Sequence, residues 1–354
     1  MTAVSSLSRL DAGSLALRIR LDTLTRQVSD GRVGPGYGDI APQARRSIDL
    51  RADIARRDIW QGTIDRTLAR TSVAQDAMGR MSDIATRFYG LATKMDGTSG
   101  TLISSVAAEA RAALTEFGHL LNEQYAGEYL FGGTDTANLP VPDADGIASS
   151  GMATDIATAV AGLSAGNAAG VAAATLAAAS SDATGTTVFS AFLSDPATGL
   201  TEPRRAVPAA EGERVDYGVS ANRNAAATSE GETTGSWSRD ILRGLATLAA
   251  LDPSQAQLGT DFTDLVATVR DGLRSAIDAL GEEQGALGAT EERLSAISQR
   301  HKDVTVTLTD QVAGIEEVDM AETISRMEAT RTQLEASYRA ISLVSSLSLT
   351  NFLA

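Results

Sequence analysis

The sequence predicts a mainly α fold: an elongated helical bundle with coiled-coil helices at both termini and an inserted α+β or otherwise β-containing domain. Three observations carry this reading. Proline is absent from Gln43 to Leu139 and from Ser254 to Ala354, whereas Pro140, Pro142, Pro196, Pro203 and Pro208 gather in the centre. Long helices can therefore run on either side of the centre but not easily through it. Apolar residues recur at 3-4 spacing near each end. The central zone is rich in Ala, Gly, Thr, Ser and Asp, and in its segment GERVDYGVS Val215, Tyr217 and Val219 alternate with Arg214, Asp216 and Gly218, a strand signal.

Taken in order, Leu7, Leu10, Ser14, Leu17, Leu21, Leu24 and Val28 form one narrow stripe on a first helix. The loop GRVGPGYGDI follows, in which Gly34, Pro35 and Gly36 are expected to stop that helix and Asp39 or Pro42 to start the next. Large side chains at Ile64, Leu68, Met78, Met81, Phe88 and Met95, then Val106, Ala110, Ala113, Phe117 and Leu120 after the break DGTSG, read as a helical hairpin. Its return partner is expected at 241–251 and then 262–308, where Leu265, Val269, Leu273, Ile277 and Leu280 mark an apolar face. Near the end Met320, Ile324, Met327, Leu334, Tyr338 and Ile341 form a second stripe, which Arg331 interrupts and which continues to Ser345 and Ser348.

A narrow stripe needs a partner helix. Mutual pairing of the two ends is preferred over two independent zippers, although an ordinary amphipathic core helix fits either stripe taken singly. Six apolar side chains offset only part of the chain entropy lost on ordering such a helix. Both ends are thus expected to be loose in the monomer and to order on assembly.

Composition excludes several classes of function. With a net charge of −15, the 354-residue chain repels nucleic acid and anionic membranes at long range. The absence of cysteine removes disulfides, thiolate catalysis and Cys-ligated metals. Arg9 and Asp11 interrupt the region where a secretory signal would need an unbroken apolar run, so no cleavable signal peptide is expected. The apolar-looking stretch from Ile156 to Ser180 is mostly Ala and Gly, a poor membrane span. His119 and His301 are far apart and belong to no ligand or nucleophile motif, and a surface or capping role is expected for each. The acidic pairs Glu282 with Glu283, Glu291 with Glu292 and Glu316 with Glu317 read as solvated helix faces. No strand precedes the Gly-rich loop at 31–40 and no Gly-Lys-Ser/Thr follows it, so phosphate binding is not expected there. No catalytic, cofactor-binding or metal-binding residue is assigned, and an enzyme is not expected.

One segment stands out in a chain with only 4% aromatic residues: GEYLFGGTDT, from Gly127 to Thr136. It joins Tyr129, Leu130 and Phe131 to the pair Gly132 and Gly133 at the end of the first helical zone. The head, RQVSDGRVGPGYGDIAPQA, resembles the flagellin superfamily, in which a helix ends in a Ser-Gly-basic turn before a second helix. The tail, MAETISRMEATRTQLEASYRAISLVSSLSLTNFL, resembles that superfamily's C-terminus more closely still. Within the superfamily, GEYLFGGTDT resembles the Tyr-Leu-Phe-Gly-Gly segment of the hook-filament junction branch, the hook-associated protein 3 type. The resemblance covers residues 1–140 and 235–354. It departs from the family's Asp-Asp-Pro after the first turn, where this chain reads Asp39, Ile40, Ala41, Pro42.

The resemblance implies an inner terminal coiled-coil domain of residues 1–42 with 310–354, a helical bundle domain of 43–139 with 236–309, and a variable outer domain of 140–235. It implies that Gly127, Tyr129, Leu130, Phe131, Gly132 and Gly133 form the exit turn into the outer domain. It further implies self-association in a ring or helical zone, with hook-associated protein 1 and flagellin as neighbours. Type III export to an extracellular place on the bacterial flagellum, and an export chaperone on the C-terminal helix, are likewise implied. A flagellin that forms the filament itself and a non-flagellar coiled-coil binding protein remain alternatives.

Overall fold

The computed structural model describes residues 2–95 and 99–350, with side chains described over 8–344 apart from 96–98. The chain divides into two compact units, Met1–Ile59 with Arg300–Ala354, and Trp60–Gln299.

The terminal unit is built on α1 (Thr2–Asp30) and α9 (Met320–Thr350), which pack on each other. Arg18 donates to the Tyr338 hydroxyl, and Thr25 lies against the Met327 sulfur at 3.9 Å, so the two helices run antiparallel. It also holds the first turns of α2 (Ala44–Thr93) and the last turns of α8 (Thr260–Glu316). The stop of α1 falls at Asp30, earlier than the Gly34–Gly36 expected from turn chemistry. Gly31, at φ +70°, takes the left-handed conformation after the helix and donates its N–H to the Gln27 carbonyl at 2.9 Å. Neither Asp39 nor Pro42 opens α2. The Asp39 carboxylate instead accepts from the Gly36 N–H at 3.0 Å, closing the loop on itself.

In the second unit, α2 and α3 (Gly100–Leu121) form the expected hairpin arms, and Ser99 caps α3 by accepting from the Leu102 N–H. A short hairpin, β1 (Gln124–Tyr125) with β2 (Glu128–Tyr129), leads into the insert. The insert contains α4 (Gly151–Ala161), α5 (Ala168–Ser180), the single turn α6 (Ala191–Ser194) and a second antiparallel hairpin, β3 (Ala206–Ala210) with β4 (Glu213–Asp216). The strand expected through Val219 therefore ends at Asp216. Val215, Tyr217 and Val219 still turn inward, because the Arg205 carbonyl accepts from the Tyr217 and Gly218 N–H groups and carries the alternation on.

Helix α7 (Trp237–Ala249) is buried along its whole length. It packs against α3, α4 and α5, and its Gly244 lies against Leu273 of α8. The hydrophobic cluster runs from Ile64 to Ile297 and includes insert side chains such as Ile156, Val160 and Leu193. Two arginines one turn apart on α7 fasten α5 there. Arg239 donates to the Ala179 carbonyl at 3.1 Å, and Arg243 donates to the Ala172 carbonyl and Thr175 Oγ1 at 2.9 and 3.1 Å. Buried guanidiniums are tolerable because each of their nitrogens donates to an oxygen.

Candidate assembly surface and exit turn

On α1 the positions turned toward α9 keep the 3-4 spacing. Ser14 and Leu24 are buried, while Leu10, Leu17, Leu21 and Val28 are half-buried; the Leu7 side chain lies outside the described residues. On α9 the structure differs from the spacing-based stripe. The covered positions are Thr323, Met327, Thr330, Leu334, Ser337, Ile341 and Val344, and Met320, Ile324 and Tyr338 stay exposed at about 40%. Two heptad stripes overlap on this helix and share Met327, Leu334 and Ile341. The more polar of the two faces α1. Ser345 and Ser348 lie outside the residues whose side chains are described.

Small polar side chains can sit in this seam because the helix satisfies them itself. The Thr323 and Thr330 hydroxyls each donate to the carbonyl four residues back at 2.7 Å, and the Ser14 hydroxyl donates to the Asp11 carbonyl at 2.9 Å. These three hydroxyls are therefore paired within their own helices when the seam is covered. Tyr338 keeps a hold on α1 through Arg18, which donates to its hydroxyl and whose guanidinium lies 5.3 Å from its ring.

The two connections of this unit meet as a bridge. Val33 donates to the Glu316 carbonyl at 2.8 Å and Val318 to the Gly31 carbonyl at 3.0 Å, so the turn after α1 pairs with the break between α8 and α9. Asp319 then opens α9 by accepting from the Glu322 N–H at 3.0 Å. Sequence reading missed this cap, although Asp319 three residues before Glu322 is a legible signature. Beside the bridge, the Glu316 carboxylate takes two bonds from Arg51, at 2.8 and 2.5 Å, and one from the Ser47 hydroxyl at 2.5 Å. These hydrogen bonds, Arg51 first, hold its pKa at about 2. Glu316 is thus a fastener and not part of a solvated face.

Glu283 corrects the same expectation more strongly. Only 1% exposed, its Oε1 accepts from the backbone N–H groups of Ala225, Ala226 and Ala227 at 2.6 to 2.8 Å. Three successive backbone donors make a concave anion nest, here filled by the chain's own carboxylate. Glu282 accepts from the Thr228 N–H beside it. His301 is also buried, with Nδ1 3.2 Å from Arg57, whereas His119 is exposed and meets Asp145 at 2.9 Å.

The exit turn is where the insert leaves the helices and returns to them. Ala126 at φ 53° and Gly127 at φ +81° close the two-residue turn between β1 and β2. Phe131 is fully buried, Leu130 nearly so and Tyr129 half-buried. The Phe131 carbonyl accepts from the returning Ala221 N–H at 2.9 Å, and Gly132 forms a bridge with Ser220. A Cβ on Gly132 would lie 2.3 Å from the Asp135 carbonyl oxygen, and one on Gly133, at φ +66°, would lie 1.9 Å from Glu202 Oε1. Both positions therefore require glycine. The turn is a packed plug that ties outgoing and returning chain together.

Among the described residues no group of three or more His, Asp or Glu is arranged to hold a metal ion, and no helix is long and apolar enough to cross a membrane. Residues 271–353, from within α8 to beyond α9, match the family model of the bacterial flagellin C-terminal helical region. The matched segment is less than a quarter of the chain, and it supports a likeness of these C-terminal helices to the flagellin superfamily. No curated protein matches the chain significantly.

Proposed function

We propose that this subunit is an adaptor at the hook-filament junction, joining hook-associated protein 1 to the flagellin filament. The observation that carries the proposal is the segment GEYLFGGTDT, which resembles the junction branch and is tied by the Phe131 carbonyl to the returning Ala221 N–H at the base of the insert. The flagellin match at the C-terminus supports the broader setting. In this reading the terminal domain, 1–42 with 310–354, lies innermost and orders among neighbouring copies, and the insert of 140–235 lies outermost. An export chaperone covers the α9 stripe before secretion through the type III apparatus. The exposed Met320, Ile324 and Tyr338 suit both contacts, because they leave apolar surface on a helix already paired along another stripe.

Deletion of the gene tests the assignment. An adaptor's loss leaves hooks that shed flagellin monomers into the medium. Loss of a filament flagellin instead leaves complete junctions with nothing to polymerise, and that outcome would overturn the proposal in favour of the filament role. An antibody against the insert, viewed by electron microscopy, should label one point at the distal end of the hook and not the length of the filament.

A further inference from the structure

Where the two hairpins of the second unit face α2, a cavity of about 390 Å³ is lined by an excess of positive charge in a strongly acidic protein. Arg66 and Arg70 come one turn apart from α2, and Arg205 comes from the residue before β3. Among the described residues, the one carboxylate that lines the cavity with them is Glu128 of β2. One Glu128 oxygen serves both inner guanidiniums, at 2.9 Å from Arg70 Nη1 and 2.9 Å from Arg205 Nη1. Arg70 spends another donor on the Tyr129 carbonyl at 2.5 Å. Arg205 Nη1 is buried yet poorly aligned for a hydrogen bond with any described residue, and its guanidinium stands 5.9 Å from the Tyr217 ring.

Three guanidiniums against one carboxylate leave the cavity short of negative charge. Burial, then repulsion from Arg205, pulls the Arg70 pKa down, which is the sign expected of an undercompensated pair. Guanidinium forks match the oxygens of a tetrahedral anion, and the site is open enough to admit one without rearranging the backbone. We infer that this cavity binds a small doubly charged oxyanion of the phosphate type, held between Arg66, Arg70 and Arg205. The anion completes the coordination that Glu128 alone leaves unfinished, and it clamps the exit hairpin β1–β2 and the insert hairpin β3–β4 onto α2.

Inorganic phosphate is the direct probe. Titrated into the full chain at neutral pH and constant ionic strength, it should bind one to one with a Kd of about 1 mM and be displaced by sulfate but not by acetate. Arg205→Gln should weaken binding at least about tenfold, as should Arg66→Gln, whose exposed position leaves the fold intact should Arg205→Gln fail to fold. Arg274→Gln, which removes an exposed cation paired with Asp278 elsewhere on the chain, should leave affinity unchanged. Absence of a saturable phosphate signal, or equal affinity in wild type and Arg66→Gln, would overturn the inference.

Discussion

The two units spend their apolar side chains in opposite ways. In Trp60–Gln299 the largest residues, Trp237, Phe88, Phe117, Phe131 and Phe262, are fully buried in one continuous cluster. In the terminal unit the buried apolar side chains among the described residues are Leu24, Val312, Ile315 and Leu334, while Leu15, Ile19, Met320, Ile324 and Val306 stay exposed. The cause is geometric. A helix that packs against several neighbours can bury its whole circumference, as α7 does, but a helix in a pair can bury only one stripe. In the proposed reading the second unit is stable by itself, and the terminal unit is completed by neighbouring subunits.

The largest expected effect lies in the second unit. Trp237→Ala should cost about 3–5 kcal/mol in urea unfolding, because it empties a fully buried site and removes the edge-to-face partner of Phe117. Leu24→Ala should leave that main transition unmoved and raise only the proteolytic sensitivity of α1 and α9. Equal shifts from both substitutions would break the contrast between the units.

Asp240 gives the next largest effect. It lies at the start of α7, where burial raises its pKa to about 6 against the lowering pull of the Thr234 hydrogen bonds. With the folded value above the unfolded one, its contribution is fully present below about pH 4 and is lost as pH rises through about 6. Asp240→Asn keeps the acceptor for the Thr234 N–H and removes the buried charge. It should stabilise the chain by about 2–3 kcal/mol at pH 7 and flatten stability between pH 4 and 6.

Glu316 has the opposite sign. Its pKa is depressed, so the fastening is present above about 4.5 and lost as pH falls through about 2. Glu316→Gln should speed amide exchange at Val33 and Val318 at neutral pH while leaving α7 unchanged. The smallest effect is at the exit hairpin, where Ala126 carries a positive φ that suits glycine or asparagine better. Ala126→Gly should stabilise by about 0.5–1 kcal/mol, read as a shift in the urea midpoint.

How much of this was legible in the sequence follows the same division. The α1 stripe was readable because leucines occupy nearly every seam position. The face of α9 that packs on α1 is harder to read because Thr323, Thr330 and Ser337 hold positions on it, and the Thr323 and Thr330 hydroxyls pair within their own helix. The inward alternation of Val215, Tyr217 and Val219 was visible, but the end of β4 was not, since a carbonyl at Arg205 carries the ladder onward. Glu283 reads as surface in the sequence because its partners, Ala225 to Ala227, lie more than fifty residues away and contribute only backbone. The tight turn at Gly132 and Gly133 is legible from its paired glycines, and the arginine cavity is not, because its charges come from three separate stretches of chain.

Native-state hydrogen exchange on the monomeric full chain tests the contrast most directly. Amides of α1 and α9 should exchange through local opening, with protection at least about 100-fold below that of α7. Protection in α1 and α9 equal to that of α7 would mean that the paired ends need no further partners, and the account would fail.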